Sequence, residues 1–491
     1  MPVDLPDFSA FLPEHAARLS DLIRGPEWQA ALADESNIAR LRESVIAAPD
    51  MPDPAGVLVG ALKQVNEADV RARIAGGDRD VDALAWRLGE WPDEWTNEPP
   101  VLSFVGVYLT LDCNARPKCV YCNQLPVDGC LPMEEWGRLV SELIQGDGQK
   151  PYFSYTGGEP LTCGDALYGP EGLIRQAATA GAPSNINTNA FDLTLEVALK
   201  IVHAGAARLH VSLDTPDPEV MDELAGGTGR FDLITRGLYN LQVARELLGV
   251  NHPVVHINCV LTTRSIFEYP KLVGFLLDRK RVATPGVEGP PRADPHFRDL
   301  GIHLIPVGGP QNADIRPTAD DYERFFTRTW EAASDVWETY QDARGTEDEA
   351  RVDYDNYAFF ANPYKRVEYR GELRDYCEAV AESTQSTLAL GKRCLVAPTQ
   401  AFFLPDGCQH WCGGHGVSRP EPMGHRSTGS AQGSIASSLS SLRQYPNEFC
   451  TGCPVATLFI NQGAENALNE TVKGWIEEAD SPPATPEPPP T

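Results

Sequence analysis

Residues 151–213 read PYFSYTGGEPLTCGDALYGPEGLIRQAATAGAPSNINTNAFDLTLEVALKIVHAGAARLHVSL, and this stretch decides the fold. Its short apolar runs lie at 151–156, 184–189 and 208–213. Runs of this length favour strands, and the longer amphipathic segments between them favour helices. Strands that alternate with helices predict a parallel sheet, because parallel neighbours need a crossover connection.

The same alternation continues on both sides of this stretch. Further strands are predicted at 101–111, 254–262 and 301–307, and further helices at 133–145, 171–181, 193–205, 218–248 and 268–280. A closed barrel of this type contains about eight strand–helix units. Six units therefore predict a partial (β/α)6 barrel. We expect the active site at the C-terminal ends of the strands, where loops carry functional residues without disturbing the core.

The rest of the chain divides where its composition changes. Residues 1–98 are predicted to be helical and carry no motif that reveals their role, and the barrel is expected to occupy 99–312. The other predicted segments are a helical and aromatic connecting region at 313–389 with one long helix over 318–345, a small cysteine-bearing domain at 390–462, and a C-terminal helix with a disordered Pro-rich tail at 463–491.

Composition limits the classes of partner. The 491-residue chain carries 41 basic and 69 acidic residues, a net charge of −28, and its basic residues form no cluster. Such a surface is expected to repel nucleic acid and anionic membranes. No apolar run is long enough for a transmembrane helix, and the first residues lack the pattern of a signal peptide. We therefore expect a cytoplasmic protein with neither nucleic-acid nor membrane partners.

Seven of the twelve cysteines fall into two groups, which indicates metal sites in a reducing compartment. The early group is Cys113, Cys119 and Cys122 in LTLDCNARPKCVYCNQ, directly after the first predicted strand. Three thiolates suit an iron–sulfur cubane that keeps one iron open for a small molecule. The alternative is zinc, whose closed sites need four ligands, and Cys130 is the nearest further candidate.

A second motif ends the second predicted strand, where Thr156-Gly157-Gly158-Glu159 precedes a proline. Two glycines allow the backbone to approach a ligand closely. The carboxylate of Glu159 can receive a cationic ammonium group. A cysteine loop after one strand and this turn after the next predict a binding site shared by both.

These motifs resemble those of the radical S-adenosylmethionine (SAM) superfamily over about residues 101–310. The superfamily signature, CxxxCxxC with an aromatic residue before the last cysteine, differs here by two extra residues between Cys113 and Cys119. The resemblance implies a SAM-binding [4Fe–4S] cluster on the three cysteines and SAM held by the glycine turn, with Glu159 at its amino group. It also implies that the SAM pocket includes Tyr121, Thr156, Gly157, Gly158, Asn189, Ser212, Asp214 and Asn258, although each of the polar residues, taken singly, is also a common turn or cap former.

The late group is Cys394, Cys412, Cys450 and Cys453. Its spacing, Cys-x12-Gly-x4-Cys and then Cys-x2-Cys, resembles the SPASM/Twitch subgroup in its single-cluster form. The intervening AFFLPDG predicts a β-hairpin with an Asp-Gly turn. The resemblance implies one auxiliary [4Fe–4S] cluster closed by four thiolates, which leaves outer-sphere electron transfer as its role. A purely structural cluster, a structural zinc site and Cys408 as a replacement ligand stay open. The remaining cysteines, Cys130, Cys163, Cys259 and Cys377, are predicted to be buried small apolar residues.

The resemblance implies a radical SAM enzyme that cleaves SAM reductively to a 5′-deoxyadenosyl radical and abstracts hydrogen from a substrate, with an electron donor such as flavodoxin or ferredoxin. We predict an oxidoreductase that dehydrogenates a small molecule, since an auxiliary cluster can accept an electron. The alternatives are a maturase that cross-links or epimerises a ribosomal peptide substrate, a redox-neutral sugar epimerase, and a zinc-bearing binding protein without catalytic activity.

Overall fold

The computed structural model describes residues 42–50, 53–91, 102–122, 124, 129–145, 150–279, 281–282, 292–293, 301–308, 310–344, 373–382, 393–396, 399–410, 424–425 and 455–481. Its strands are β1 (Phe104–Thr110), β2 (Tyr152–Gly157), β3 (Ser184–Thr188), β4 (Arg208–Ser212), β5 (Val254–Leu261), β6 (Arg281–Val282), β7 (Arg292–Ala293), β8 (Gly301–Pro306), β9 (Gln400–Phe403), β10 (Cys408–His410) and β11 (Gly424–His425). The main sheet has the order β11-β10-β9-β1-β2-β3-β4-β5-β8, and β6 and β7 form a separate antiparallel ribbon.

The α-helices connect and surround these strands. They are α1 (Pro54–Ala75), α2 (Val81–Leu88), α3 (Met133–Leu143), α4 (Asp165–Tyr168), α5 (Leu173–Thr179), α6 (Leu195–Ala204), α7 (Pro218–Leu224), α8 (Arg230–Leu248), α9 (Tyr269–Arg279), α10 (Ala319–Arg324), α11 (Trp330–Arg344), α12 (Leu373–Ala381) and α13 (Val455–Asp480). None of the described helices is both long and apolar enough to cross a lipid bilayer.

The predicted partial barrel is confirmed. β1 to β5 and β8 lie side by side in parallel as an unclosed barrel, and they correspond to the six predicted strands. Successive side chains of a strand point to opposite faces. On the outer face Val105, Val107, Leu209 and Val211 are buried in the main core, which includes residues of α3, α5, α6, α8 and α9. The inner face carries the alternate residues of each strand and surrounds a cavity.

The predicted helices of the barrel are confirmed as α3, α5, α6, α7, α8 and α9. The long helix predicted over 318–345 is also found, as α10 and α11 joined by the π-helical turn Phe325–Thr329. The N-terminus of α10 is stabilised by a capping box between Thr318 and Asp321. The aromatic segment that follows and the Pro-rich tail lie almost wholly outside the described residues.

A second, smaller core joins the two ends of the described chain. Helices α1, α2 and α13 bury residues such as Leu62, Leu88 and Leu468 against one another. Asn461 of α13 accepts from the backbone N–H of Leu395 at 2.5 Å and donates to Arg393 O at 2.8 Å, ahead of β9. Helix α13 also contacts β8, the strand at one edge of the main sheet.

The helical prediction for residues 1–98 is confirmed for α1 and α2, whereas residues 45–50 form no helix and most of 1–52 lies outside the described residues. At the other end, α13 begins at Val455, before the boundary predicted at 463.

The hairpin predicted from AFFLPDG is confirmed as β9 and β10. Gly407 adopts the left-handed conformation with φ +92°, and Asp406 Oδ1 accepts from the Cys408 N–H at 2.9 Å. The sequence did not indicate that this hairpin extends the barrel sheet, with β9 parallel to β1. At the start of both strands Ser103 N–H donates to Thr399 O at 2.8 Å. The cysteine-bearing region thus begins as an extension of the barrel itself.

Candidate active site

A cavity of about 830 Å³ occupies the inside of the barrel. Its cluster end, which we define by Cys113, Cys119, Cys122 and Glu159, lies at the C-terminal ends of the strands. The strand residues that line it, from β1 to β8, include Phe104, Tyr152, Ser154, Thr156, Asn185, Asn187, Arg208, His210, Ser212, His256, Asn258, His303 and Ile305. Most of them are polar, which suits a site for polar ligands.

The C-terminal end of α7 contacts the loop that carries the three cysteines. The backbone N–H of Val120 donates to Leu224 O at 3.0 Å, and Cys119 Sγ lies 3.8 Å from Ala225 O. Gly226 has φ +81°, and a Cβ there would lie 2.4 Å from Lys118 O. Only glycine allows this approach, which explains the residue type at Gly226.

Burial of the thiols opposes their ionisation. Burial raises the pKa of Cys113, and burial with the nearby Asp214 carboxylate raises the pKa of Cys119 to about 12. These thiols therefore stay protonated near neutral pH unless a metal ion replaces their protons. The Ala115 N–H donates to Cys113 Sγ at 3.4 Å and the Asn189 amide lies 3.8 Å from it, so donors are in place for a charged sulfur.

A single metal ion and an iron–sulfur cluster need different arrangements of three thiols. Within the described ranges, no three His, Cys, Asp or Glu side chains converge closely enough to hold one metal ion. A zinc site needs its sulfur ligands about 2.3 Å from a common centre. A cubane cluster needs less convergence, because each thiolate binds a different iron. Cys113, Cys119 and Cys122 all line the cavity, and the cluster that they would hold stays a prediction.

Gly157 and Gly158 allow the turn after β2 to pack against the backbone of the residues that precede Cys113 in the sequence. Gly158 N–H donates to Thr110 O and Glu159 N–H to Asp112 O, both at 2.7 Å. A Cβ on Gly158 would lie 2.0 Å from Asp112 O, and one on Gly157, whose φ is +135°, 2.3 Å from Thr110 O. Both glycines were predicted to let backbone approach a ligand. In the structure they allow a backbone–backbone contact that aligns the turn with the cysteine loop. Both also line the cavity, so their approach to a ligand stays a prediction.

The Glu159 carboxylate is 1% exposed and accepts three hydrogen bonds. Its Oε1 accepts from the Thr188 hydroxyl at 2.7 Å and from Leu161 N–H at 3.1 Å, and its Oε2 accepts from Asn189 N–H at 2.8 Å. Burial raises its pKa to about 7 against the lowering effect of these donors. A carboxylate offers about four acceptor sites, so these three hydrogen bonds leave one acceptor site on Oε2 unused.

Asp214 has a position that the sequence did not indicate. Its carboxylate is 1% exposed, accepts from the Tyr121 hydroxyl and from Val260 N–H, and does not line the cavity as Tyr121 does. Asp214 therefore lies behind the cysteine loop. Among the other predicted residues, Thr156, Asn189, Ser212 and Asn258 all line the cavity.

Four basic residues inside the barrel were missed by the sequence analysis. They are Arg208, His210, His256 and His303, on β4, β5 and β8. The available signal was the alternation in RLHVS and HINCV, where polar residues recur at every second position between apolar ones. That alternation marks a strand with one polar face, which here points into the cavity.

The remaining cysteines are only partly as predicted. Cys259 and Cys377 are buried, which confirms the prediction, but Cys130 is exposed and Cys163 is half-buried, which corrects it. The reason is local, because Cys130 lies in the loop before α3 and Cys163 ends a 3₁₀ turn. Cys394 and Cys408 are half-buried. Cys412, Cys450 and Cys453 lie outside the described residues, so the auxiliary ligand set stays a prediction.

Comparison with known proteins identifies relatives over part of the chain. The chain is 30% identical over 184 residues to AdoMet-dependent heme synthase from Methanosarcina barkeri, which covers 36% of this chain and 49% of that protein. It is 26% identical over 190 residues to PqqA peptide cyclase from Rhodopseudomonas palustris, which covers 38% and 47%. The chain thus spans about half the length of these curated relatives.

Similarity to solved structures extends over more of the chain. The crystal structure of Streptococcus suis SuiB bound to precursor peptide SuiA matches with a TM-score of 0.46 and 14% identity, covering 78% of this chain and 76% of that one. The family model of the radical SAM superfamily matches residues 107–257, which include the three cysteines, the glycine turn and the ends of β2, β3 and β4. Members of this superfamily use a [4Fe–4S] cluster and SAM. The chain therefore carries a radical SAM domain over residues 107–257.

Proposed function

We propose that this chain is a radical SAM enzyme in which Cys113, Cys119 and Cys122 hold the cluster and the turn at 156–160 holds SAM. One observation carries the proposal: the cysteine loop, this turn and the ends of β3, β4 and β5 line a single cavity. When bound, the cluster and SAM together supply a 5′-deoxyadenosyl radical that abstracts hydrogen from a substrate. The protein's contribution is to bind, orient and shield the reacting groups.

Glu159 is the proposed partner of the SAM amino group. Glu159 lines the same cavity as Cys113, its Oε2 has one unused acceptor site, and the three donors that hold the carboxylate fix its orientation. An ammonium group there would form a charge-assisted hydrogen bond in a largely buried site. Asn189 supports the arrangement, since its backbone N–H binds Glu159 and its side-chain amide binds Asn114 Oδ1 at 2.7 Å.

Ser212 and Asn258 are the proposed polar contacts on the neighbouring strands. They are direct partners in the register of β4 and β5, so their side chains lie next to each other on the inner face. Asn258 is oriented by Asn187 Oδ1 at 3.4 Å and by a 3.2 Å contact with His303 Nδ1. Thr156, the first residue of the turn at 156–160, also lines the cavity. These groups suit the hydroxyl and carboxylate groups of SAM.

The proposed reaction class is dehydrogenation of a small molecule. Such an oxidation removes a hydrogen atom and then an electron and a proton, so it needs an electron acceptor. An auxiliary cluster on Cys394, Cys412, Cys450 and Cys453, in a domain at 390–462, supplies one. A cavity of about 830 Å³ lies within the size range of small-ligand pockets, about 300–1,000 Å³. A flavodoxin or ferredoxin is the proposed source of the electron that SAM cleavage consumes.

Peptide modification is the second candidate function. Its support is the 26% identity to a PqqA peptide cyclase over 190 residues. A peptide substrate would have to enter the same cavity, whereas a small metabolite fits inside it. Parallel assays with precursor peptides encoded near the gene and with small metabolites from the same gene cluster separate the two candidates. Only the true substrate will yield a new product in addition to the 5′-deoxyadenosine that is released without substrate.

Anaerobic incubation of the reconstituted protein with SAM and dithionite tests the proposal. We expect 5′-deoxyadenosine and methionine from the wild type and none from Cys113→Ala. Cys130→Ala is the matched control, because Cys130 is exposed and does not line the cavity, and it should react as the wild type does. A wild type with full iron and sulfide content that releases no 5′-deoxyadenosine would contradict the proposal.

A further inference from the structure

The cavity has a second end far from the cysteines. Its deep end, which we define by Tyr152, Arg208, His210, His256 and His303, lies nearer the N-terminal ends of the strands. Arg208 begins β4 and Ser212 ends it, a separation of about 13 Å at about 3.3 Å per residue. A ligand at the deep end therefore lies beyond the SAM contacts proposed for Ser212 and Asn258, inside the same cavity.

Helices α1 and α13 contribute to the wall of the cavity. They supply Asp53, Ala55, Ile460, Gly463 and Ala467 to its lining. The two helices approach closely, since a Cβ built on Gly463 would lie 3.4 Å from the Cβ of Ala55. The cavity is therefore bounded by two cores of the protein, and its shape depends on both.

Arg208 brings an uncompensated positive charge to the deep end. Among the described residues no carboxylate forms an ion pair with it, and its Nε is buried without a hydrogen-bond partner. The acidic residues that line the cavity are engaged elsewhere: Asp53 Oδ1 accepts from Ala55 N–H as the cap of α1, and Glu159 accepts three hydrogen bonds at the cluster end. A cation in a low-dielectric cavity is costly unless an anion or water compensates it.

Three histidines surround this charge without adding to it. The rings of His210 and His256 stack with centroids 5.2 Å apart, and His303 meets His210 edge-on at 6.4 Å. Burial and the Arg208 charge lower the pKa of all three, to about 4 for His303. They are therefore neutral near pH 7, and each offers one donor and one acceptor. His210 lines the cavity, and its Nε2 is buried with no hydrogen-bond partner among the described residues, so its hydrogen-bonding capacity is unused.

A metal ion does not explain this cluster. Stacked imidazole rings direct their nitrogens side by side, whereas metal ligands must converge on one point. Across the described ranges no group of three metal-ligating side chains has that convergence.

We propose that the deep end binds a carboxylate group of the substrate, with Arg208 as its charge partner and His210 as a hydrogen-bond donor. The inference rests on the proposed function and narrows its substrate to a carboxylic acid. One guanidinium among neutral imidazoles can balance one negative charge. A carboxylate carries one such charge, whereas a phosphate dianion carries two, so half of the dianion's charge would have no partner. The planar guanidinium also matches the geometry of a carboxylate in a bidentate pair.

The test is ligand-observed ¹⁹F NMR on the reconstituted full chain with SAM bound, using 4-fluorobenzoate and its neutral isostere 4-fluorobenzamide. We expect wild-type protein to bind the acid at least tenfold more tightly than the amide. In Arg208→Gln that preference should vanish, whereas Arg138→Gln, which removes an exposed cation from α3, should retain it. Arg208→Lys keeps the charge but loses the bidentate fork, so an intermediate preference is expected.

Three other results would contradict either the inference or the proposed function. Equal affinity of wild-type protein for acid and amide would overturn the inference, and this comparison needs no variant to fold. Inorganic phosphate that displaces the acid at lower concentration, in a manner dependent on Arg208, would overturn the assignment to a carboxylate. Protein that prefers the acid but neither binds nor cleaves SAM would keep the anion site and overturn the proposed function instead, so the two failures are distinct.

Discussion

The hydroxyl of Tyr121 donates a 2.6 Å hydrogen bond to Oδ2 of Asp214, and Oδ1 of the same carboxylate accepts from Val260 N–H at 2.7 Å. Tyr121 lies between the second and third cysteines of the loop, Asp214 follows β4, and Val260 belongs to β5. The three groups therefore connect the cysteine loop to two strands of the barrel. We infer that Asp214 is a positioning residue for Cys119 and Cys122.

Tyr121→Phe is expected to loosen the cysteine loop. The change leaves the buried Oδ2 of Asp214 without a donor, which costs about 1–3 kcal/mol. It also raises the pKa of Asp214 further, because the hydrogen bond from Tyr121 opposes the raising effect of burial that places this pKa at about 7. We expect faster loss of iron to a chelator and a lower melting temperature.

Tyr322→Phe is the matched control for this experiment. Tyr322 is fully buried in α10, but its hydroxyl has no hydrogen-bond partner among the described residues, so its loss should be neutral or stabilising. A double-mutant cycle with Asp214→Asn isolates the coupling between Tyr121 and Asp214. Iron retention equal to wild type in Tyr121→Phe would show that the loop does not depend on this bond.

Gly158→Ala is expected to displace the turn after β2. The added Cβ would lie 2.0 Å from Asp112 O, so the backbone of one segment must move, at a cost of about 1–3 kcal/mol. SAM affinity should fall because Glu159 moves with the turn. Gly137→Ala in α3 is the control: its Cβ meets nothing closer than 3.8 Å, and alanine should stabilise the helix by up to about 1 kcal/mol. Equal melting temperatures of the two variants would refute the packing argument.

The affinity for SAM is expected to depend on pH through Glu159. Burial raises the pKa of this carboxyl to about 7 in the free protein, so it is largely protonated at pH 6 and charged only as the pH rises through that value. An ammonium group prefers the charged form, so affinity should increase from pH 6 to about 7.5, below the titration of the ligand's own amine. Equilibrium dialysis of the holoprotein measures this dependence.

Glu159→Gln should bind SAM more weakly and without that pH dependence, by roughly tenfold at pH 7.5 since a charge-assisted bond is lost. Glu134→Gln, at an exposed position of α3, should retain the wild-type profile. A profile in Glu159→Gln that is identical to wild type would place the SAM amino group elsewhere.

Removal of the late cysteine pair is expected to separate SAM cleavage from product formation. In Cys450→Ala/Cys453→Ala the early cluster is intact, so reduction should still yield 5′-deoxyadenosine, while the oxidised product should fail to form for lack of an electron acceptor. The iron content should fall from about eight to about four per chain. Normal product at a normal ratio to 5′-deoxyadenosine would instead favour a structural cluster and a redox-neutral reaction.

The sequence predicted the parts of this site that depend on local pattern. The strand–helix alternation identified all six parallel strands of the barrel within a few residues, because side-chain periodicity is a property of each segment alone. The Asp-Gly turn of the β9–β10 hairpin followed in the same way from the backbone preferences of Asp406 and Gly407. The cysteine spacing and the glycine turn likewise identified the radical SAM domain.

Tertiary structure decided the features that depend on which segments meet. The addition of β9 to the edge of β1, the hydrogen bond of Tyr121 to Asp214, and the contact of Gly158 with Asp112 each join residues far apart in sequence. The alternate polar residues of β4, β5 and β8 are typical of strands with one polar face, but this signal was missed, and only the curvature of the sheet brought Arg208 and three histidines to one end of a cavity. Periodicity assigns a face to each residue within its strand, whereas the neighbours across that face are set by strand order and register, which no single segment encodes.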